Sequence, residues 1–388
     1  MDPNARLAAA VPANVREVCA RLAAAGHQAV TVGGAVRDVL LGRTPGDWDV
    51  ATSAHPDEVL KLFRHTIPTG LQHGTVTIVT GRGVESHVEV TTYRGEGAYT
   101  DARRPDSVVF GVPLQEDLAR RDLTVNAIAF DVAAGTAFDP FGGVKDLEAR
   151  RLRAVGVAVD RFTEDGLRVM RAARFAAQLG FDLDPDTEAG IPPALPSLAK
   201  VSRERVADEL RKILDAPQPS RGLVLAQRTG ILETILPGET LDVETPDRVP
   251  VEVRLAAFVA PMHDRKRILD TLKALKFSNA EAELASALAG AWPAVRSAPD
   301  DPALRRTLSA LGRTFATEMA RLAPEITRVL GDPLVLKELA VNGNELMSAG
   351  LASGRALGEL LTRLLDRVLE DPSLNTKDRL LALAKELA

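Results

Sequence analysis

Along the first 150 residues the spacing of apolar positions switches repeatedly between the three-and-four step of a helix and the short runs of a strand. Residues 15–25 place Val15, Val18, Cys19 and Leu22 at helical spacing and stop at Gly26, where a left-handed cap is easy for glycine. A strand over 28–32 runs into Gly33-Gly34, and 35–41 read as a helix ended by Gly42. Residues 48–51 read as a strand, and 56–63 as a helix with Ser53 as its candidate cap. The β-rich runs 75–80 and 86–93 flank Gly81-Arg82-Gly83 and predict a hairpin, while 118–130 are mostly helical in character.

Beyond about residue 160 the strand signal fades. Residues 203–214, 220–228, 265–275, 280–288 and 357–369 carry apolar residues at helical spacing. Proline-bearing breaks at 192–196, 237–250 and 299–302 read as joints between helical parts. No repeat of fixed period stands out. The pattern predicts a small α+β head followed by a long helical body.

Apolar residues make up 45% of the chain and aromatics 4%, so its cores are mainly Leu, Ala and Val, which favours helices. The single cysteine, Cys19, excludes an internal disulfide and a cysteine-based zinc site and suits a reducing compartment. No apolar run reaches membrane-spanning length, and the first ten residues, with Asp2 early, do not read as a signal peptide; a cytoplasmic location is expected. The net charge of −5 does not mark a nucleic-acid binder, but its distribution is uneven. Seven arginines face three acids between Arg150 and Phe175, and Arg265, Lys266, Arg267, Lys273 and Lys276 form a second basic cluster. Each cluster reads either as a solvated helix face or as a local phosphate-binding surface.

Candidate chemistry begins with Asp47 and Asp49 on either side of Trp48. On a strand, residues two apart share a face, so both carboxylates project together while Trp48 turns toward the core. Adjacent carboxylates repel unless a divalent cation lies between them, and magnesium takes one or two carboxylates plus substrate phosphates. Alone, such a pair is more often a surface turn. Glu89, in a neighbouring β run, is either a third carboxylate or an exposed strand residue. Upstream, Gly33-Gly34 follows a strand and opens a helix carrying Arg37. Glycine lets a backbone approach a phosphate, a helix start offers free amides, and the arginine fork suits a triphosphate. Asp165, Arg168, Arg171 and Arg174 recur at intervals of three, as a ridge across one helix, with Asp165 and Arg168 placed for an intrahelical ion pair. His73 is read as structural, and His263-Asp264 as incidental.

These residues carry a resemblance. GGAVRDVLLG at 33–42, followed by Asp47-Trp48-Asp49, is similar to the first motif of the class II tRNA nucleotidyltransferases, a family that includes bacterial poly(A) polymerases. GLQHGT (70–75), VEVTTYR (88–94), RRDLTVNA (120–127) and EDGLRVMRAARF (164–175) follow in the family's order. The similarity is close from about 28 to 181 and thin afterwards. It implies a polymerase β-like mixed sheet with helices over 1–150, a helical neck over 151–215, a helical body over 216–300 and a helical tail over 301–388.

The resemblance also implies a reaction: an RNA 3′-hydroxyl attacks the α-phosphate of CTP or ATP, and pyrophosphate leaves. Asp47 and Asp49 are then the catalytic Mg2+ ligands, with Glu89 a candidate third. Gly33, Gly34, Arg37, Arg121, Asp122, Asp165, Arg168, Arg171 and Arg174 bind the nucleotide. Arg121 and Asp122 lie near its sugar, Asp165 and Arg168 imitate a template base, and Arg171 and Arg174 either reach the phosphates or support that base-reading pair. Such a pair accepts from the amino group of cytosine or adenine and donates to the adjacent ring nitrogen, while guanine and uracil leave polar groups unmatched, at about 1–3 kcal/mol each. For Arg120 and Asn126 structural roles stand beside ligand contacts.

Residues 69–75 look like the tRNA-directed branch, so tRNA is the expected partner, bound by shape and phosphate contacts. The loop at 94–105 resembles one tied to the terminal adenosine step. CCA addition is the first expectation, ahead of A-addition or CC-addition alone, either of which needs a complementary enzyme. A poly(A) polymerase, or a binding module that has lost catalysis, ranks lower.

Overall fold

In the computed structural model, which describes residues 2–83, 86–96 and 108–387, the β-branched runs build one mixed sheet. Its first strands are β1 (Ala29–Val32), β2 (Asp49–Thr52), β3 (Thr66–Gly70), β4 (Thr75–Val79) and β5 (His87–Thr92). A separate antiparallel ribbon joins β6 (Arg94–Glu96) to β7 (Val108–Phe110). The loop expected over 94–105 lies outside the described residues except at this root. The main sheet is completed by β8 (Ala129–Asp131) and β9 (Thr136–Phe138), in the order β3-β4-β5-β2-β1-β8-β9. β2 and β5 run parallel, whereas β1 meets both β2 and β8 antiparallel. This register puts Asp49 between Val32 on one side and Glu89 on the other.

Around the sheet lie α1 (Pro3–Ala10), α2 (Ala13–Ala24), α3 (Gly34–Leu40), α4 (Pro56–Leu62), α5 (Leu114–Ala119) and α6 (Gly143–Glu148). Val30, Val32, Ala51, Tyr93, Leu118, Ala127, Ala129 and Val155 form a buried core beside β1. Three expectations need correction. Residues 118–130 are not a helix: α5 ends at Ala119, a 3-10 turn covers Thr124–Asn126, and β8 follows, because residues here pair with β1. Ser53 does not cap α4; its hydroxyl accepts from the Gln28 amide at 2.9 Å, and Glu58 caps the helix start by accepting from the His55 amide at 2.7 Å. Asp47 precedes β2 rather than belonging to it.

A short parallel pair, β10 (Arg151–Leu152) and β11 (Asp182–Leu183), then gives way to helices α7 (Ala158–Glu164), α8 (Leu167–Leu179), α9 (Pro185–Ala189), α10 (Ile191–Leu198), α11 (Arg203–Leu214), α12 (Pro219–Arg228) and α13 (Ile231–Ile235). The prolines at 192–196 do not break the chain. Pro192 and Pro193 sit in the first turn of α10, where no intrahelical amide bond is lost. Within α8 every residue is buried except Arg171, Arg174 and Gln178, which form one stripe at helical spacing. Small residues allow this enclosure: a Cβ on Gly222 of α12 would lie 2.5 Å from the Ala173 carbonyl oxygen.

The chain divides into two compact units, Met1–Pro237 and Gly238–Ala388, parting at the proline-bearing stretch 237–250. The expected body, 216–300, straddles that division, with α12 packed on α8 in the first unit. The second unit comprises α14 (Arg254–Val259), α15 (Arg265–Ala274), α16 (Asn279–Ser297), α17 (Asp301–Leu311), α18 (Arg313–Leu322), α19 (Thr327–Leu330), α20 (Gly343–Ser348), α21 (Gly354–Glu370) and α22 (Lys377–Leu387). Asp264 caps α15 by accepting from the Arg267 amide at 2.8 Å, so His263-Asp264 marks a helix start. Part of the second basic cluster is neutralised in place, Arg267 by Glu239 at 2.9 Å and Lys273 by Glu283 at 3.6 Å. Among the described residues no helix is long and apolar enough to cross a membrane.

Candidate active site

The turn between β1 and α3 is built on Gly33, whose φ of 76° belongs to the left-handed half of backbone space. A Cβ there would meet Arg121 Nη1 at 2.9 Å and Asp49 Oδ2 at 3.9 Å. Glycine thus lets a cation and a carboxylate close on the same turn. Burial pushes the Asp49 carboxyl up to about 6; Arg121 opposes the rise, and the neighbouring charges of Glu89 and Asp47 add to it. Asp47 and Glu89 are themselves exposed, while Trp48 is buried.

A chain of hydrogen bonds ties this turn to α8. Arg37, buried on α3, donates to Asn126 Oδ1 at 2.6 Å, and Asn126 Nδ2 donates to Asp122 Oδ1 at 3.0 Å. Arg171 Nε then donates to Asp122 Oδ2 at 2.7 Å. Burial by itself raises the Asp122 carboxyl, but Arg171, Asn126 and the Leu123 amide outweigh it and hold it far below the usual carboxylate range. Asn126 is therefore a link between elements, and Arg120 is held by Asp117 at 2.9 Å.

Asp165 lies in the break between α7 and α8 rather than on the helix, which corrects the expected four-residue ridge. Its Oδ1 accepts from the Leu167 amide at 3.1 Å and its Oδ2 from Arg205 Nη2 at 2.9 Å. Arg168 donates to Glu164 at 2.5 Å and to the carbonyls of Arg161 and Arg120, each at 2.9 Å. Each member of the pair is thus braced by further partners, which fixes its rotamer. Arg174 is braced likewise by Glu209 on α11 at 3.1 Å.

Gly33, Gly34, Arg37, Asp49, Arg121, Asp122, Asp165, Arg168, Arg171 and Arg174 all line one cleft of ≈ 1000 Å³. Asp47 and Glu89 are not among its lining residues. Arg94, Gln178, Arg205 and Lys212 also line it and were not singled out from the sequence. A signal for two of them existed: Arg205, Glu209 and Lys212 fall at steps of four and three, a polar stripe on α11 opposite its apolar face. His73 lines the cleft too, and its carbonyl accepts from Arg94.

A nucleotide and a divalent cation suit this donor set. Asp49 carries an uncompensated cost of burial and like-charge crowding that a cation would relieve. Among the described residues no three His, Cys, Asp or Glu side chains are grouped closely enough to hold an ion by themselves.

Comparison with known proteins agrees with the geometry. Residues 29–153 match the Poly A polymerase head domain, and 180–240 match the family described as a probable RNA and SrmB-binding site of polymerase A. The CCA-adding enzyme of Geobacillus kaustophilus is 40% identical over 380 residues, covering 92% of both chains. The structure of the Bacillus stearothermophilus CCA-adding enzyme in complex with CTP is 34% identical, covers 96% of each chain and superposes with a TM-score of 0.73. That of the Thermotoga maritima enzyme complexed with tRNA shares the fold, at 19% identity and a TM-score of 0.76. With the mixed-sheet head, the arginine-lined cleft and a likeness that runs nearly end to end, the chain belongs to the family of CCA-adding enzymes, tRNA nucleotidyltransferases whose head domain is that of the poly(A) polymerases.

Proposed function

We propose that this protein adds C and A nucleotides to the 3′ end of tRNA without a nucleic-acid template, using CTP and ATP and releasing pyrophosphate. The observation that carries this is the single cleft in which Asp49, the glycine turn, the arginines and the Asp165–Arg168 pair all meet. In this reading the head, 1–150, holds the triphosphate and the neck, 151–215, reads the base. The helices of 216–300 and 301–388 receive the acceptor arm. We place the enzyme in the cytoplasm, with its tRNA substrates.

Asp47 and Asp49 would hold magnesium, with Glu89 a further carboxylate opposite Asp49 in register. An ion held by Asp47 and Asp49 would supply Lewis-acid chemistry, lowering the pKa of the attacking hydroxyl and neutralising charge on the departing phosphates. The protein's own part is positioning and electrostatics. Gly33 and Gly34 let the chain approach the triphosphate, and Arg37, Arg171 and Arg174 take its oxygens. Arg121 and Asp122 lie against the sugar. Asp165 accepts from the exocyclic amine of cytosine or adenine while Arg168 donates to the ring nitrogen beside it. Their braces keep the two from turning to suit guanine or uracil.

The test supplies purified protein with tRNAs lacking CCA, ending in C or ending in CC, and labelled CTP or ATP in separate reactions. Cytidine incorporation on the first two and adenosine on the third is the expected result. Adenosine on the CC-ended tRNA alone, or cytidine without adenosine, assigns the protein half the tail and requires a complementary enzyme. Long oligo(A) on arbitrary RNA makes it a poly(A) polymerase. Chelation of divalent cations should stop incorporation, and magnesium should restore it.

A further inference from the structure

Phe175, buried on α8 to 4% exposure, has three guanidinium groups around its ring. The carbon of Arg174 lies 4.4 Å from the ring centroid, that of Arg37 5.1 Å and that of Arg171 5.5 Å. Arg37 arrives from α3 and the other two belong to α8, and all three line the cleft. Three like charges gathered around one ring repel. Burial, followed by the charges of Arg171 and Arg37, pulls the pKa of Arg174 down against the support of Glu209.

Each guanidinium has its own braces: Asn126 at 2.6 Å and Asp38 at 2.9 Å for Arg37, Asp122 for Arg171 at 2.7 Å and Glu209 for Arg174 at 3.1 Å. The ring is what they have in common. An aromatic face carries the negative end of a quadrupole and attracts cations held within about 6 Å of its centre. An aliphatic side chain of similar volume would fill the space without offsetting the charge.

We propose that Phe175 is a positioning residue for the incoming nucleotide, its ring being the shared platform that holds Arg37, Arg171 and Arg174 convergent before the phosphates of CTP or ATP arrive. The inference rests on the phosphate-binding reading of those arginines. The ring touches no substrate in this scheme; it spares the nucleotide the cost of gathering three mutually repelling side chains.

The test uses the full chain with phenylalanine carrying one, two or three ring fluorines at position 175, which drain the ring face of electron density with little change in size. Binding of inorganic triphosphate and of CTP is measured by calorimetry, and KM for CTP, ATP and tRNA by incorporation kinetics. Dissociation constants for triphosphate and CTP should rise stepwise with fluorine number, reaching roughly ten-fold for three. The KM for tRNA should stay within about two-fold, since the ring face meets only the nucleotide-binding arginines. Unchanged affinity across the series, or losses that do not follow fluorine number, would overturn the proposal. So would a folded Phe175→Leu protein that binds triphosphate as tightly as wild type. If wild-type protein fails to bind triphosphate, the assignment of the arginines falls first, and the platform with it.

Discussion

Replacing Asp146 by alanine should weaken the N-terminal unit by about 2–4 kcal/mol, although the residue is not among those lining the cleft. Its carboxylate is fully buried on α6. It accepts from Thr124 Oγ1 at 2.7 Å, from Arg151 at 2.7 Å and 3.0 Å, and from Arg153 Nε at 2.9 Å, with Arg153 Nη2 in ion-pair contact at 2.8 Å. Removing one partner of a fully buried charge pair costs about 3–5 kcal/mol. Here the arginine side chains are 44% and 37% exposed and recover water, which discounts their share. Buried Thr124 does not recover water and is left unsatisfied, at about 1–3 kcal/mol.

For a unit of this size the loss corresponds to a fall in melting temperature of roughly 5–15 °C, read by calorimetry. The pH dependence gives a second readout. Burial raises the Asp146 carboxyl, but hydrogen bonds from Thr124, Arg151 and Arg153 outweigh it and hold it below its ordinary value. A carboxylate depressed in the folded state contributes stability above its unfolded pKa of roughly 3.9 and loses it as pH falls through the folded value. The gap between wild type and Asp146→Ala should therefore be full at neutral pH and close as the pH drops below about 4. A variant melting within about 2 °C of wild type at pH 7 would show that this carboxylate staples nothing.

Two changes in the cleft have sharper functional readouts. Asp49→Ala should cut incorporation by at least roughly 10³-fold, the equivalent of several kcal/mol of electrostatic stabilisation, while filter binding finds tRNA affinity nearly unaltered; robust incorporation would remove Asp49 from the metal site. Gly33→Ala forces a side chain into left-handed backbone space and against Arg121 Nη1, 2.9 Å from its Cβ, so KM for both nucleotides should rise and the melting temperature should fall by a few degrees. An unaltered KM in a stable Gly33→Ala protein would mean that the nucleotide does not pass this turn.

The sequence by itself determined the switch from a mixed α/β head to a helical remainder and several of the elements in each. β-rich runs placed β1, β4 and β5, and helical spacing placed α2, α3, α11, α12, α15, the first half of α16 and α21, because each buries one continuous face. It also marked the chemistry, since glycine at a turn, paired aspartates and spaced arginines are written in residue type. Residues 118–130 escaped because Leu118, Leu123, Val125 and Ile128 suit either period, and only pairing of β8 with β1 decides between them.

What the tertiary structure alone decided is how charge is disposed. Read along the chain, the seven arginines of 150–175 are one basic cluster. In space Arg151 and Arg153 are spent on Asp146, whereas Arg171 and Arg174 meet Arg37 around Phe175. The partners that set these positions come from far away, as with Asn126, 89 positions from Arg37, and Glu209, 35 from Arg174. A charged side chain is placed by whichever opposite charge or π face shares its low-dielectric surroundings, and local spacing carries no record of that.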